Sequence, residues 1–67
     1  MSVCYNKLWK ILIDKNLKKK DLSKAADISP SLIAKLGRNE NVTVEVLVKI
    51  CGVLECTLDD IVEIIHE

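Results

Sequence analysis

Residues 19–38, KKDLSKAADISPSLIAKLGR, constrain the fold more strongly than any other part of this chain. Leu22 and Ala26 are the apolar positions of one helical pattern, and Ile33 and Leu36 are those of a second. Only a few residues separate the two patterns. The sequence therefore predicts two short helices that are joined by a tight turn and packed at close range.

The turn between these helices has its own residue signature. The hydroxyl of Ser29 can cap the second helix, and Pro30 suits its first position because proline lacks the N–H that would be unpaired there. Few residues then remain for the turn after Ala26, so the helices must cross steeply, as in a helix-turn-helix. Ser23 and Ala26 supply the small side chains that such a crossing needs. Asp27 stands where a left-handed backbone is most often required, which aspartate tolerates less well than glycine.

Length and composition indicate one small helical domain. A chain of 67 residues holds one domain with a thin core. Its only aromatic residues are Tyr5 and Trp9, and aliphatic residues at helical spacing dominate, which favours an all-α bundle. No apolar run reaches the length of a membrane span, and the first ten residues lack the arrangement of a secretion signal. We therefore expect one all-α domain over residues 1–67, located in the cytoplasm.

Three further helices complete a predicted fold of five helices. The first runs from about Tyr5 to Lys15 and stops near Asn16. Thr43 can cap the fourth helix, and Thr57 with Asp60 resembles a capping box that opens the fifth. The apolar positions are Tyr5, Leu8, Trp9, Leu12 and Ile13 in the first helix, Leu47, Ile50, Cys51 and Leu54 in the fourth, and Leu58, Ile61, Val62 and Ile65 in the fifth.

The charges are segregated along the chain although their total is zero. Residues 1–38 carry nine basic and three acidic side chains, a formal charge of +6, and residues 39–67 carry one basic and seven acidic side chains, a formal charge of −6. Exposed charges act over about a Debye length, roughly 8 Å at physiological salt, so the local patch matters more than the total. A basic front half can therefore bind phosphate groups.

The cysteine and histidine content gives little support to catalysis or metal binding. Cys4, Cys51 and Cys56 form no CxxC pair, and His66 is the only histidine. The sequence also lacks a glycine-rich phosphate loop and a nucleophile with an adjacent base. We expect no enzymatic activity, no cofactor and no metal site. A metal- or redox-responsive switch that uses Cys51, Cys56 and His66 stays open as an alternative.

Apolar residues are left over once this core is assigned. They spread around the fourth helix and lie off the main stripe of the fifth. We expect some of them, namely Val46, Val53 and Ile64, to form a homodimer interface. The alternative is that a small bundle buries its fourth helix on most sides.

From about Leu8 to Ile61 the chain resembles the phage repressor and Cro type of helix-turn-helix, also called the xenobiotic response element family. The residues that carry the resemblance are Leu22, Ser23, Ala26, Ile28, Ser29, Ile33 and Leu36. The resemblance implies a five-helix domain that usually dimerises. It also implies that the third helix enters the major groove of DNA to read an operator.

This geometry assigns candidate roles to the residues of the helix pair. If Pro30–Leu36 is the recognition helix, its exposed residues face base edges. The expected base contacts are Ser31, Leu32 and Lys35, and the alternative for Lys35 is a phosphate contact or a solvated charge. The expected phosphate contacts are Lys19, Lys20, Ser29, Arg38, Asn39 and Asn41.

The sequence therefore predicts a transcriptional regulator that binds double-stranded DNA sequence-specifically as a homodimer. A two-fold dimer reads half-sites about one helical turn apart, near 34 Å, so the operator is expected to be an inverted repeat. The alternative is a protein-interaction module, antitoxin-like or anti-repressor, that has the same fold and little DNA affinity. Its motivating features are the zero net charge and the surplus valines.

Overall fold

The computed structural model describes residues 1–66, and it confirms the predicted all-α architecture of five helices. The helices are α1 (Asn6–Asp14), α2 (Lys19–Ala26), α3 (Pro30–Gly37), α4 (Val44–Leu54) and α5 (Leu58–Ile61). Two short strands, β1 (Ser2–Cys4) and β2 (Glu63–Ile65), pair antiparallel and bring the two ends of the chain together. Within these residues no helix has the length and apolar character needed to cross a membrane.

The turn between α2 and α3 has the predicted geometry. Asp27 ends α2 in the left-handed region, with φ 55° and ψ 50°. The Ser23 hydroxyl donates to the Ile28 carbonyl oxygen at 2.5 Å, and the Ile28 N–H donates back to the Ser23 carbonyl at 3.1 Å. The Ser29 hydroxyl accepts from the Leu32 N–H at 3.3 Å and so caps α3. Local hydrogen bonds therefore fix the crossing of the two helices.

The helix pair is held by one hydrophobic core that runs through the whole chain. α2 packs against α3 and α4, while α5 packs against α1 and α4. Leu8, Leu22, Leu36, Ile50 and Ile61 are fully buried and come from five different helices. The remaining buried core residues are Tyr5, Leu12, Ala26, Ile28, Ile33, Val46, Leu47 and Leu54.

The structure differs from the sequence prediction at two isoleucines. Ile13 was expected on the apolar face of the first helix, but its side chain is 72% exposed. Ile65 was expected on the fifth helix, but α5 ends at Ile61 and Ile65 pairs with Ser2 in the sheet. Val62 already has an extended backbone, because the β-branched residues after it pair with β1.

The N-terminal segment is tied to the loop after α3 through Tyr5. Its hydroxyl donates to the Glu40 carbonyl oxygen at 2.9 Å, and its N–H donates to the Asn39 side-chain oxygen at 3.1 Å. Burial raises the pKa of Tyr5 above its usual value. Asn39 itself has a left-handed backbone, with φ 57°. These bonds fix the loop that leads from α3 to α4.

The end of α4 brings two cysteines together. Glu55 follows α4 in the left-handed region, and the Cys56 N–H donates to the Cys51 carbonyl oxygen at 3.1 Å. This bond and the left-handed residue are those of a Schellman motif, in which the two residues joined by the bond also contact through their side chains. Burial, followed by the neighbouring Cys51 thiol, raises the pKa of Cys56 to about 11.

Replacement of Asp27 by glycine tests the strain in the turn. A left-handed backbone costs a residue with a side chain more than it costs glycine, so we expect Asp27→Gly to stabilise the fold by about 0.5–1 kcal/mol in urea denaturation. Asp14→Gly, in the last turn of α1, is the matched control and is expected to destabilise by a similar amount. A less stable Asp27→Gly protein would contradict the prediction.

The raised pKa of Cys56 predicts slow alkylation. A pKa of about 11 in place of 9.0 lowers the thiolate fraction near pH 8 by about 100-fold. Because the thiolate is the form that reacts, alkylation slows by the same factor. We expect iodoacetamide to modify Cys56 slowly at pH 8 and at a rate that increases up to about pH 11. Peptide mass spectrometry of the unaltered protein follows Cys56 separately, because cleavage after Glu55 divides it from Cys51, and the buried Cys4 serves as an internal reference. A plateau near pH 9 would disprove the shift.

Candidate nucleic-acid interface

The outer face of α3 presents an exposed stripe of side chains. Ser31, Ala34, Lys35 and Arg38 are all exposed, and their spacing places them on one side of the helix axis. Ile33 and the residues of the opposite face are buried in the core. Ala34 was not predicted as a contact residue, although its position three residues after Ser31 indicates that it shares the exposed face. The stripe therefore combines a hydroxyl, a methyl group and two cations.

Leu32 lies at the edge of this stripe. Its side chain is half-buried and packs against the core, so only part of it is open to a partner. The Ser29 hydroxyl already has two hydrogen-bond partners. It accepts from the Leu32 N–H and shares a hydrogen bond of 2.9 Å with the Ser31 hydroxyl. Ser29 therefore acts first as the helix cap, and it orients Ser31.

Lys19 is held at the start of α2 by an aromatic ring. Its Nζ lies 4.7 Å from the centre of the Trp9 ring, a distance typical of a cation–π contact. A Cβ atom added at Gly37 would come within 3.7 Å of the same Nζ, so the ammonium also lies beside the end of α3. The Lys19 ammonium, on α2, therefore lies next to both α1 and α3.

A shallow cavity of about 390 Å³ lies between α2 and α3, and three lysines are among the residues that line it. Its lining residues are Lys19, Lys20, Ser23, Lys24, Pro30 and Ile33. Lys19 and Lys20 were predicted from the sequence to contact phosphate, and Lys24 was not. All three lysines are exposed, so this side of the helix pair has a high density of positive charge.

Arg38 is exposed but paired. Its guanidinium forms a charged hydrogen bond with the Glu40 carboxylate, and this bond holds the pKa of Glu40 below its usual value. The positive charge of Lys35 lowers the pKa of Glu40 further. A phosphate group that binds Arg38 therefore competes with a carboxylate of the same loop.

The two loop asparagines occupy different surroundings. Asn39 uses its side-chain oxygen to accept from the Tyr5 N–H, which leaves its NH₂ group as a donor for a partner. Asn41 lines a groove with Val3 of β1 and Ile64 of β2. The structure therefore groups Asn41 with the sheet, whereas the sequence analysis grouped it with the recognition helix.

The three residues expected at a dimer interface differ in how exposed they are. Val46 is 9% exposed and belongs to the core of a single chain, because its position in the first turn of α4 faces inward. Val53 is half-buried against the same core. Ile64 is exposed. Of the three, only Ile64 presents a largely open side chain.

Of the three residues of the possible switch, Cys51, Cys56 and His66, the structure places the two cysteines next to each other. The two cysteines adjoin, as described above, and His66 follows β2. Over the described part of the chain, no three histidine, cysteine, aspartate or glutamate residues form a group that could hold a metal ion.

Comparisons with known proteins agree with this geometry. The Cro/C1-type HTH DNA-binding domain family matches residues 7–67 of the chain. The chain is similar to the crystal structure of transcriptional regulator VanUg, Form II, with 52% sequence identity and a TM-score of 0.93, over 98% of this chain and 88% of the other. No curated protein sequence matches it. The chain belongs to the family of Cro/C1-type helix-turn-helix DNA-binding domains.

Proposed function

We propose that the protein is a transcriptional regulator that binds double-stranded DNA sequence-specifically as a homodimer, with α3 in the major groove. The observation that carries the proposal is the exposed stripe of α3, which offers groups able to contact base edges, next to the lysines at the start of α2. The similarity to a transcriptional regulator supports the regulatory role. The activity is binding, without catalysis.

The residues divide into two roles in this proposal. Ser31 and Lys35 contact base edges: lysine donates to guanine O6 or N7, and a hydroxyl pairs with several bases. Leu32, with its half-open side chain, and Ala34 contact thymine methyl groups. Contacts to phosphate position the protein without reading the sequence, and we assign them to Lys19, Lys20, Ser29, Arg38, Asn39 and Asn41.

Zero net charge is compatible with this role because of where the charges lie. α1, α2 and α3 belong to the basic half of the chain, and α4, α5 and β2 belong to the acidic half. The proposed DNA-binding face is therefore built from the basic half. The operator we propose is an inverted repeat whose half-sites are about one helical turn, roughly 34 Å, apart.

A protein-interaction module with the same fold is the second candidate. It is favoured by exposed apolar side chains on α4, where Val44 and Val48 are one turn apart and 64% and 57% exposed. This candidate predicts a complex with a partner protein and no complex with duplex DNA. Sedimentation with a pool of random duplexes at low salt distinguishes the two.

Substitution of Lys35 and Lys19 separates base reading from phosphate binding. Selection from random duplexes defines the preferred site, and binding is then measured over a range of salt concentrations. We expect Lys35→Ala to lose about 1–3 kcal/mol on the preferred site and to relax the preference at one base pair. Lys19→Ala is expected to weaken binding to all sequences alike and to reduce the salt slope by about one.

Lys10→Ala is the matched control, because Lys10 is an exposed lysine of α1 that does not line the cavity between α2 and α3. It is expected to leave the base preference and the affinity for the preferred site nearly unchanged. Failure of the unaltered protein to enrich any sequence at low salt would contradict the proposal of sequence reading. An unchanged base preference in Lys35→Ala would contradict the role of Lys35.

The contact between Trp9 and Lys19 predicts a role for Trp9 in positioning. Trp9→Leu removes the ring that faces the ammonium, so we expect weaker DNA binding at low salt, by up to about 1 kcal/mol, whereas Trp9→Phe keeps most of the affinity. The effect is expected to vanish when Lys19 is already alanine, which a double-mutant cycle measures. Equal losses from Trp9→Leu with and without Lys19 would show that Trp9 acts only through stability.

A further inference from the structure

Two asparagines follow helices of this chain with the same backbone geometry. Asn16 follows α1 and Asn39 follows α3, and each has a left-handed backbone with φ 57°. The residue after each of them donates its N–H to the carbonyl oxygen five residues earlier, at 2.8 Å after α1 and at 2.9 Å after α3. Asparagine is one of the few residues that adopt this conformation readily, so the helix end alone accounts for an asparagine at both positions.

A buried tyrosine distinguishes Asn39 from Asn16. The Tyr5 N–H donates to the Asn39 side-chain oxygen at 3.1 Å, and over residues 1–66 the side chain of Asn16 has no corresponding bond. The Tyr5 hydroxyl donates to the Glu40 carbonyl oxygen at 2.9 Å, and Tyr5 is only 2% exposed. α3 holds the same two loop residues through their own N–H groups. The loop is therefore attached both to α3 and to Tyr5.

The bond from Tyr5 sets which end of the Asn39 amide is available to a partner. The oxygen and the NH₂ group belong to one planar group, so a bond that holds the oxygen also fixes the direction of the NH₂ group. Asn39 is exposed, and the NH₂ group is the part of its amide that this bond leaves unoccupied. A phosphate oxygen accepts hydrogen bonds, so it binds an NH₂ group and is repelled by a carbonyl oxygen. Tyr5 therefore selects the orientation of the amide that suits a phosphate.

We propose that Tyr5 is a positioning residue for DNA binding, which holds the Asn39 side chain so that its NH₂ group donates to a phosphate oxygen beside α3. The inference rests on the phosphate contact that the proposed function assigns to Asn39. Because Tyr5 is buried, it acts through Asn39 and does not touch DNA itself. Asparagine is neutral, so its contact releases no counterion, and this distinguishes its contribution from that of a lysine.

Replacement of Tyr5 by phenylalanine tests the inference, since it removes the bond to Glu40 and keeps the ring. We expect Tyr5→Phe to bind the preferred site and random duplexes more weakly by the same factor, about two- to tenfold. The salt slope should stay unchanged because no charge is lost, whereas Lys19→Ala reduces it. A Tyr5→Phe protein that binds DNA as tightly as the unaltered protein overturns the inference.

Ile50→Val is the control for an effect of stability alone. Ile50 is fully buried in α4, so the loss of one methyl group is expected to destabilise the fold about as much as the loss of one hydrogen bond. Its affinity for DNA should stay unchanged at a temperature where both variants are folded. An equal loss of affinity in Ile50→Val would show that Tyr5 acts only through stability, and it overturns the inference.

Glycine substitution of the two asparagines gives a matched pair. Glycine suits the left-handed backbone at both positions, so Asn16→Gly and Asn39→Gly are both expected to fold. Only Asn39→Gly should bind DNA more weakly. In Asn39→Gly the further change Tyr5→Phe should cost little additional affinity, which a double-mutant cycle measures. Equal affinities of the two glycine variants, or fully additive losses in the cycle, overturn the inference.

The order of the side-chain amides in the DNA-free protein separates this inference from the proposed function. We expect ¹⁵N relaxation to show a more ordered NH₂ group in Asn39 than in Asn16, and Tyr5→Phe should lower the order of Asn39 alone. If the amides behave in this way but no duplex is bound, the proposed function fails and the hold of Tyr5 on Asn39 stands. If DNA is bound although Asn39 is no more ordered than Asn16, the inference fails and the DNA-binding role stands.

Discussion

The short connection between α2 and α3 is the constraint on which the rest of the structure depends. It forces two helices to cross at close range, and Leu22 and Leu36 are then fully buried on the inner side of the pair. Two hydrogen bonds between Ser23 and Ile28 close the turn. Because the inner faces are fixed in this way, the outer face of α3 has a fixed direction, which a surface that reads base edges requires.

The other helices serve this pair mainly by covering it. α4 packs against α2, and α5 packs against α1 and α4, while the outer face of α3 is exposed. α1 contributes more than cover, because Trp9 holds the Lys19 ammonium next to the end of α3. A cation on a flexible side chain loses conformational entropy when it binds, and part of that loss has already occurred in a cation that rests on a ring.

The elements that depend on neighbouring residues could be predicted from the sequence. The caps at Ser29 and Thr43 and the left-handed residue at Asp27 depend on neighbours within a few positions, and the structure has all three. The sheet depends on a partner at the opposite end of the chain. Residues 58–65 also fit a helical period, so the pattern alone did not distinguish a helix from a short helix followed by a strand. Val46 was expected at an interface because its sequence neighbours do not show that other helices cover it, whereas in the structure it belongs to the core.

The candidate site was predictable in its position and less so in its details. The exposed positions of α3 follow from helical spacing, but the pairing of Arg38 with Glu40 and the bond from Tyr5 to Asn39 depend on how a loop folds. The first contact places one proposed phosphate ligand, Arg38, in competition with a carboxylate inside the chain, whereas the second leaves the NH₂ group of Asn39 available to a partner. Since the contact between Arg38 and Glu40 must be exchanged on binding, we expect Lys20 and Lys24, which line the α2–α3 cavity, to contribute more than Arg38 to a first encounter with DNA, and Arg38 to contribute after docking.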